Sequence, residues 1–289
     1  MSTGAVGAIV SVHAPHSSPA AVEAGRGRLR IVRVRDRSVV SSAYATSPLR
    51  LLTPRAGGEA AWIFTSSYGG GLVDGDHLGL DVQVGAGAAA LVSTQASTKI
   101  YRSRRGAGAD LHARVDENGL LVLLPDPVVC FAGAIYRQTQ QFDLAPGASL
   151  AVVDWMSSGR RMSGERWAFL EYSARLTVRS AGRLLVHDVV ALRAEDGSLA
   201  ARMGRFDILG VVALVGPALH ETAEAVVARL GGTPIRNRGD LLVAATALEG
   251  AGCVVRLAGR STEQVGRVVR DLLADIPRLL GDDPWACKW

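Results

Sequence analysis

From Arg26 to about Asp207 the chain is written in short alternating runs of apolar and polar residues, broken by small glycine-containing turns. That period of two fits a pleated strand and not a helix. His77 to Val84 sets Leu78, Leu80, Val82 and Val84 on one face, with Gly79, Asp81 and Gln83 on the other. Glu171 to Val178 repeats the pattern, and Ser180-Ala181-Gly182 turns it into a hairpin partner over Leu184 to Leu192. No amphipathic helix pattern occurs before about residue 217. A helical bundle or a regular β-α-β alternation is therefore excluded for the first two thirds of the chain.

A weak internal repeat sharpens this. Val84-Gly85-Ala86-Gly87-Ala88-Ala89-Ala90-Leu91-Val92 resembles Leu144-Ala145-Pro146-Gly147-Ala148-Ser149-Leu150-Ala151-Val152, each an alternating run, a tight turn and an apolar run. Stacked layers of a β-solenoid produce such a repeat, and so do two ordinary hairpins. The last part reads differently, as β-α-β-β-α over about 207–280. Asp207 to Val215 is a buried-strand candidate, and Pro217 suits a first helical turn. Leu219, Ala223, Val226 and Leu230 follow at helical spacing up to Gly231-Gly232. Strands are expected at Leu241 to Leu248 and Cys253 to Leu257. A capping box at Ser261 to Gln264 opens a second helix, with Val265, Val268, Val269, Leu272 and Ile276 on its face and Pro277 as its stop. The fold expected is mainly β: an elongated, β-helix-like scaffold with two α-helices in the C-terminal third. Residues 1–25, rich in Ser, Ala and Pro, read as a flexible tail, and 26–289 as one domain.

Composition narrows the class. Hydrophobic residues make up 48% and charged residues 20%, enough for a sizeable core and too few charges for a disordered chain. No apolar run approaches the ~18 residues of a membrane-spanning helix. Met1 to Pro19 holds no Lys or Arg and no long apolar core, so a secretory signal is not expected and a cytoplasmic location is. The net charge is +5, with Lys99 and Lys288 the only lysines. Arg26, Arg28, Arg30, Arg33, Arg35 and Arg37 cluster, yet they interleave with Leu29, Ile31, Val32 and Val34. A strand with a solvated face is the plainer reading, and a patch for nucleic acid or an acidic partner the sharper one. Cys130, Cys253 and Cys287 are far apart with no C-x-x-C, which excludes a zinc ribbon and a disulfide framework.

Four segments concentrate chemistry. Tyr68 to His77 (YGGGLVDGDH) looks like a phosphate loop but lacks G-K-[ST] and a following helix, and its carboxylates would repel phosphate. Asp74, Asp76 and His77 instead offer oxygen and nitrogen donors for an ion such as Ni²⁺, unless the aspartates simply bond local amides. Leu91 to Ser103 carries the lone internal lysine among hydroxyls. It suits a docking face or a channel wall, or else a solvated strand face. Leu124 to Phe131 is held extended by Pro125 and Pro127, and Cys130 there is a buried small hydrophobe or a soft ligand. Asp154 to Trp167 sets Asp154 and Glu165 beside paired arginines, as an ion pair or, at Glu165, as a contact for a metal in transit. No H-E-x-x-H, no G-x-S-x-G and no dinucleotide fingerprint occurs. A binding or assembly protein is favoured over an enzyme; the enzyme alternative is a β-rich metal-dependent hydrolase using the Asp74/Asp76/His77 loop.

Ser67 to Asp76, the T-Q-A-S-T-K-I-Y-R-S string of Thr94 to Ser103, Leu124 to Phe131 and Asp154 to Trp167, in this order, resemble the urease accessory protein family UreD, also called UreH. The resemblance spans about residues 30–280, and Thr94 to Ser103 is its most specific piece. Asp74 departs from it, standing where small residues are usual, so its role is not inherited. The resemblance implies a non-catalytic β-rich scaffold that binds UreF, through it the GTPase UreG, and the urease apoprotein. Nickel insertion is then GTP-dependent, with Ni²⁺ as a transient cargo, no tightly bound cofactor, no nucleic acid and no membrane. Oligomers would form through a UreF dimer. Nickel handed along a path needs weak, oxygen-rich contacts, because a tight site traps the ion. Asp76 and Glu165 are the expected contacts, with Asp74 and His77 beside them. Thr94, Gln95, Thr98, Lys99, Tyr101 and Arg102 are expected to form a channel wall or a docking face.

Overall fold

A computed structural model describes residues 25–232 and 239–286. Chain order begins with β1 (Gly25–Val34), β2 (Arg37–Ala45), β3 (Leu49–Leu52), β4 (Ala61–Ser67), β5 (His77–Val84) and β6 (Ala89–Thr94). It continues with β7 (Lys99–Ile100), β8 (Ala107–Val115), β9 (Leu120–Leu124), β10 (Val128–Cys130), β11 (Ile135–Leu144) and β12 (Ser149–Ser157). After β13 (Glu171–Ser180) and β14 (Arg183–Arg193) come α1 (Leu199–Met203), β15 (Ile208–Val215), α2 (His220–Gly231), β16 (Leu241–Leu248), β17 (Gly252–Gly259), α3 (Thr262–Leu272) and α4 (Ile276–Leu280). The tail expected over 1–25 lies outside the described residues, except that Gly25 already opens β1.

The strands build two facing sheets. The first runs β14-β13-β11-β8-β5-β1-β2, and the second β16-β17-β15-β12-β9-β6-β4-β3. Within the first, β1, β5, β8, β11 and β13 are parallel; within the second, β4, β6, β9 and β12 are parallel. Three successive layers, β5–β6, β8–β9 and β11–β12, therefore take one strand from the first sheet, a tight turn and one strand from the second, which is the stacked form of the two readings the repeat allowed. The sheets do not close on themselves.

The repeat has a middle copy that sequence inspection missed. Val84, Val115 and Leu144 lie in register, and each is followed by a four-residue turn. Gly87, Asn118 and Gly147 hold the same left-handed position, with φ of 64°, 55° and 76°. The middle turn, Asp116-Glu117-Asn118-Gly119, is charged instead of Ala/Gly-rich, so it looked unrelated. Asparagine and glycine are the residues that visit this conformation at low cost.

Side chains sort by the pleat. Leu29, Ile31, Val82, Val84, Val115, Phe142, Leu144, Leu150 and Val152 meet between the sheets in one buried cluster. The outer face of the second sheet (Leu91, Val122, Ala151, Val153, Val212, Val255) is covered by α2, α3 and α4 through Val226, Val265, Val269, Leu272 and Leu280. The outer face of the first sheet is solvated, with Arg26, Arg28 and Arg30 exposed while Gly27, Leu29 and Ile31 are buried. That is the plainer of the two readings of the arginine cluster.

The two longer helices stand where the periodicity put them, with two corrections. Pro277 does not stop α3. The α-helix breaks at Leu273, and Ile276 and Pro277 open the separate short helix α4, where a first-turn proline loses no hydrogen bond. The short helix α1, capped by the Ser198 hydroxyl, was too brief to leave a periodic signal. Ser261 caps α3, its hydroxyl accepting the Gln264 backbone N–H at 3.2 Å, while the Gln264 side-chain Oε1 accepts the Arg260 N–H at 3.2 Å.

Candidate functional site

The four chemistry-bearing segments sit on the return path from the second sheet to the first, and they stack. β7, β10 and the end of β12 pair in parallel, with Ile100 beside Cys130 and Val128 beside Met156. Leu72 bridges to Ile100 to add one more layer. The ladder is continuous: Leu72 N–H donates to Lys99 O at 2.8 Å, Tyr101 N–H to Leu72 O at 2.9 Å, and Phe131 N–H to Ile100 O at 2.9 Å. Gly71 permits this approach, since a Cβ there would lie 2.5 Å from Lys99 O. Leu72, Ile100, Cys130 and Met156 form a buried apolar column beneath the stack. Cys130 packs in that column as a buried small hydrophobe, and burial pushes its thiol well above its ordinary range.

The outer turns hold the expected ion contacts, each already engaged. Asp74 Oδ1 accepts the N–H groups of Arg104, Arg105 and Gly106 at 3.0, 2.7 and 3.2 Å. Those bonds, the one from Arg105 foremost, hold its carboxyl below the usual range. Asp76 Oδ2 accepts the Val73 N–H at 2.9 Å, and His77 Nε2 meets Asp110 Oδ2 at 2.7 Å. Glu165 takes both arms of the Arg160 guanidinium and the Ala132 N–H, and the Arg160 bonds lead in keeping it ionised. Arg160 also covers the Phe131 ring at 4.2 Å, and Tyr101 meets the same ring edge-on at 5.2 Å. Arg161 and Arg166 pair with Asp207. The ion-pair reading of this segment therefore holds for its arginines, but Asp154 is not among their partners.

Among the described residues, no three His, Cys, Asp or Glu side chains come together as a metal-holding group. Asp74, Asp76 and His77 turn to three separate partners, so the loop does not assemble the clustered ligand set that the hydrolase alternative requires.

Behind the stack, between the sheets, lies a cavity of about 130 Å³. It occupies the gap between the inter-sheet cluster and the column under the motifs. Thr94, Thr98, Asp126, Gln138, Gln140 and Asp154 bring polar atoms to its lining. The Thr94-to-Arg102 segment thus divides. Thr94 and Thr98 face the cavity, Tyr101 is half-buried on Phe131, and Gln95, Lys99 and Arg102 are exposed. Thr94 and Asp126 hold each other, Thr94 Oγ1 donating to Asp126 Oδ2 at 3.0 Å and accepting the Asp126 N–H at 2.7 Å.

Asp154 is the most constrained group here. It is 8% exposed, and its one hydrogen-bond donor among the described residues is Gln138 Nε2 at 3.0 Å. Gln138 in turn accepts the Tyr136 hydroxyl at 3.1 Å. Burial pushes the Asp154 carboxyl up to about 6, with the Asp188 charge adding to the shift and the Gln138 bond opposing it. Asp154 and Trp155 also line a second, open cavity of about 400 Å³ beside the Asp188–Arg256 ion pair. Gln138 and Gln140 escaped the sequence reading. Their signal was available: they share the inward face of β11 with Tyr136, Phe142 and Leu144, but the run Arg137-Gln138-Thr139-Gln140-Gln141 hides the alternation.

No helix of the described residues is long and apolar enough to cross a membrane. Comparison with known proteins places this architecture. The model of the UreD urease accessory protein family matches residues 23–288. The urease accessory protein UreD of Sorangium cellulosum is 49% identical, covering 92% of this chain and 85% of its own. That of Anaeromyxobacter is 43% identical over 92% and 90%, and urease accessory protein D of Oryza sativa subsp. indica 36% over 92% and 97%. With the four motifs as successive layers of one β-solenoid edge and a family match over nearly its whole length, the chain belongs to the UreD urease accessory protein family.

Proposed function

We propose that this chain serves urease maturation as a non-catalytic scaffold, joining UreF and UreG to the urease apoprotein and assisting GTP-dependent nickel insertion. The observation that carries the reading is the stacking of the four family segments into one continuous edge, with a largely apolar cavity directly behind it into which a few polar side chains reach. Such an edge presents a rigid docking surface, because each segment is locked to the next by backbone hydrogen bonds. Nickel is cargo, not a resident ion. Asp76 and Glu165, with Asp74 and His77, touch it in passing, because the hydrogen bonds they already accept compete with a tightly held metal. Thr94 and Thr98 belong to the path wall, and Gln95, Lys99 and Arg102 to the docking face.

The test is made on urease itself. Deleting this reading frame from a urease cluster should drop nickel per urease active site to background, and restoring it should return both nickel and activity. Urease fully loaded without this chain would overturn the reading. The pair Asp76→Asn and Glu165→Gln should slow activation while leaving the UreF complex intact; unchanged activation removes those two residues from the path.

A further inference from the structure

We propose that the outer face of the first sheet is a docking surface for an acidic protein, held by two arginine flanks on β1 and β13. The proposal rests on the scaffold reading and deepens it by naming the surface that meets the urease apoprotein. The two sheets differ on their outer faces. Helices α2, α3 and α4 cover the second, whereas alternate residues of β1, β5 and β13 on the first stay exposed. Side chains on that open face stand in rows, because β1, β5, β8, β11 and β13 are parallel and in register. One row is Arg26, Gly79, Asp110, Thr139 and Arg175, and another is Arg30, Gln83, Arg114, Asp143 and Arg179. Both rows begin and end in arginine, on strands four spacings or about 19 Å apart.

These arginines are not spent on the fold. Arg26, Arg28, Arg30, Arg114, Arg175 and Arg179 are all exposed, and none has an ion-pair partner among the described residues. The carboxylates between them are engaged by other groups: Asp110 by His77 at 2.7 Å, Asp143 by His112 at 2.9 Å, and Glu171 by Arg137. Asp81 stands in register with Arg28 and makes no ion pair among the described residues. The face therefore carries an excess of positive charge that nothing on it neutralises. Gly79 lets the Arg26 guanidinium lie against the sheet, since a Cβ there would come within 2.9 Å of Arg26 Nη1.

Composition and charge set the partner's class. Each flank sets an exposed apolar side chain in register with an arginine: Tyr44 with Arg28 and Val189 with Arg175. Arginine beside an aromatic or apolar neighbour is the composition that protein interfaces favour, and lysine, which they disfavour, is absent from this face. Neighbouring arginines of like charge repel one another until a partner supplies carboxylates, so the complementary surface is acidic. A nucleic acid would lay its phosphates across Asp81, Asp110 and Asp143, which repel them. A protein surface of mixed sign, with carboxylates opposite the two flanks, meets no such obstacle.

The experiment is binding of the full-length chain to urease apoprotein by biolayer interferometry at about 50 mM NaCl, where surface charge is little screened. The proteins are the native chain, Arg28→Glu/Arg30→Glu, Arg175→Glu/Arg179→Glu, and the control Arg267→Glu/Arg270→Glu, which shifts net charge equally from α3 over the other sheet. Each flank pair should weaken binding about tenfold or more and the control by less than about twofold, and native affinity should fall as NaCl rises to about 300 mM. Thermal unfolding confirms that the variants are folded, and glutamine replaces glutamate in any pair that is not. Flank variants that bind like the native chain, or a control that loses as much as they do, overturn the surface. A native chain that binds a short DNA duplex more tightly than the apoprotein, or does not bind the apoprotein, overturns it as well. The nickel content of urease separates the two proposals. Unchanged binding in the flank variants while deletion of the reading frame still empties urease disproves this inference alone. Binding lost in those variants while deletion leaves urease loaded disproves the scaffold reading alone.

Discussion

The same strands build two unlike regions of one inter-sheet space. At the turn end, β11 contributes Phe142 and Leu144 and β12 contributes Leu150 and Val152, all buried among Val84, Val115 and Val178. One or two inward positions further along, β11 places Gln138 and Gln140 there and β12 places Asp154. The backbone of β11 does not change, since its ladders with β8 and β13 run in register through both regions, and β12 stays paired with β15 past the point, at Val152, where its pairing with β9 ends. Only the side chains do. The apolar end gains from every atom removed from water, whereas the polar end carries a buried carboxyl and an orphaned amide oxygen. The polar end therefore costs stability where the apolar end supplies it.

The comparison breaks if both regions respond alike to substitution. The largest effect is expected at the apolar end. Phe142→Ala leaves a cavity in the inter-sheet cluster and should lower unfolding free energy by about 3–5 kcal/mol in a urea titration. A loss under about 1 kcal/mol would mean that the turn end is not the stabilising half. At the polar end the sign reverses. The Asp154 carboxyl sits at about 6 in the folded chain against 3.8 when free, so the folded state binds the proton more tightly. Its ionisation penalty is absent below about pH 4, grows between pH 4 and 6, and is complete above pH 6. Asp154→Asn should therefore stabilise the chain by up to about 3 kcal/mol at pH 7.5 and by nearly nothing at pH 4. A pH-independent effect would show that the burial of this carboxyl is not what costs stability.

The apolar end was the more legible in sequence. Period-two runs at His77–Val84 and Glu171–Val178 name their own inward faces, because apolar alternation and burial are one signal. The motif edge was legible by a different route, as strings of unusual composition, and not as a stack. No local pattern states that Leu72, Ile100 and Cys130 become neighbours, since that depends on how residues 85–98 and 101–127 fold back. Asp74 and Glu165 were singled out as charges, yet their bonds to Arg105 and Arg160 lie outside any periodicity. The cavity was least legible of all. It forms where polar residues occupy inward positions, and a polar residue in a strand is read first as an outward one. Pro277 misled for a related reason: proline ends a helix or begins one, and only the break at Leu273 decides.

A smaller effect sharpens the apolar side. Gly147 holds its left-handed turn with the Asn118 side chain close by, and a Cβ there would come within 2.3 Å of Asn118 Oδ1. Gly147→Ala should cost about 1–2 kcal/mol by backbone strain, with some relief from movement of the amide. Asn118→Gly, at the equivalent turn, should stay within about 1 kcal/mol of the native chain. Equal losses would mean that the turns stabilise through their side chains and not through their left-handed positions.

The smallest expected change is the most discriminating. Gln140 lies beside Leu111 on β8 and Leu176 on β13, so a leucine at 140 extends an apolar row that already exists. Replacing the unpaired oxygen by methyl groups removes a desolvation penalty and adds buried apolar area. Gln140→Leu should raise unfolding free energy by about 1 kcal/mol in the metal-free chain. A loss of stability instead would show that the Gln140 amide is satisfied in the folded chain, and that polar contacts hold this end of the inter-sheet space as apolar area holds the other.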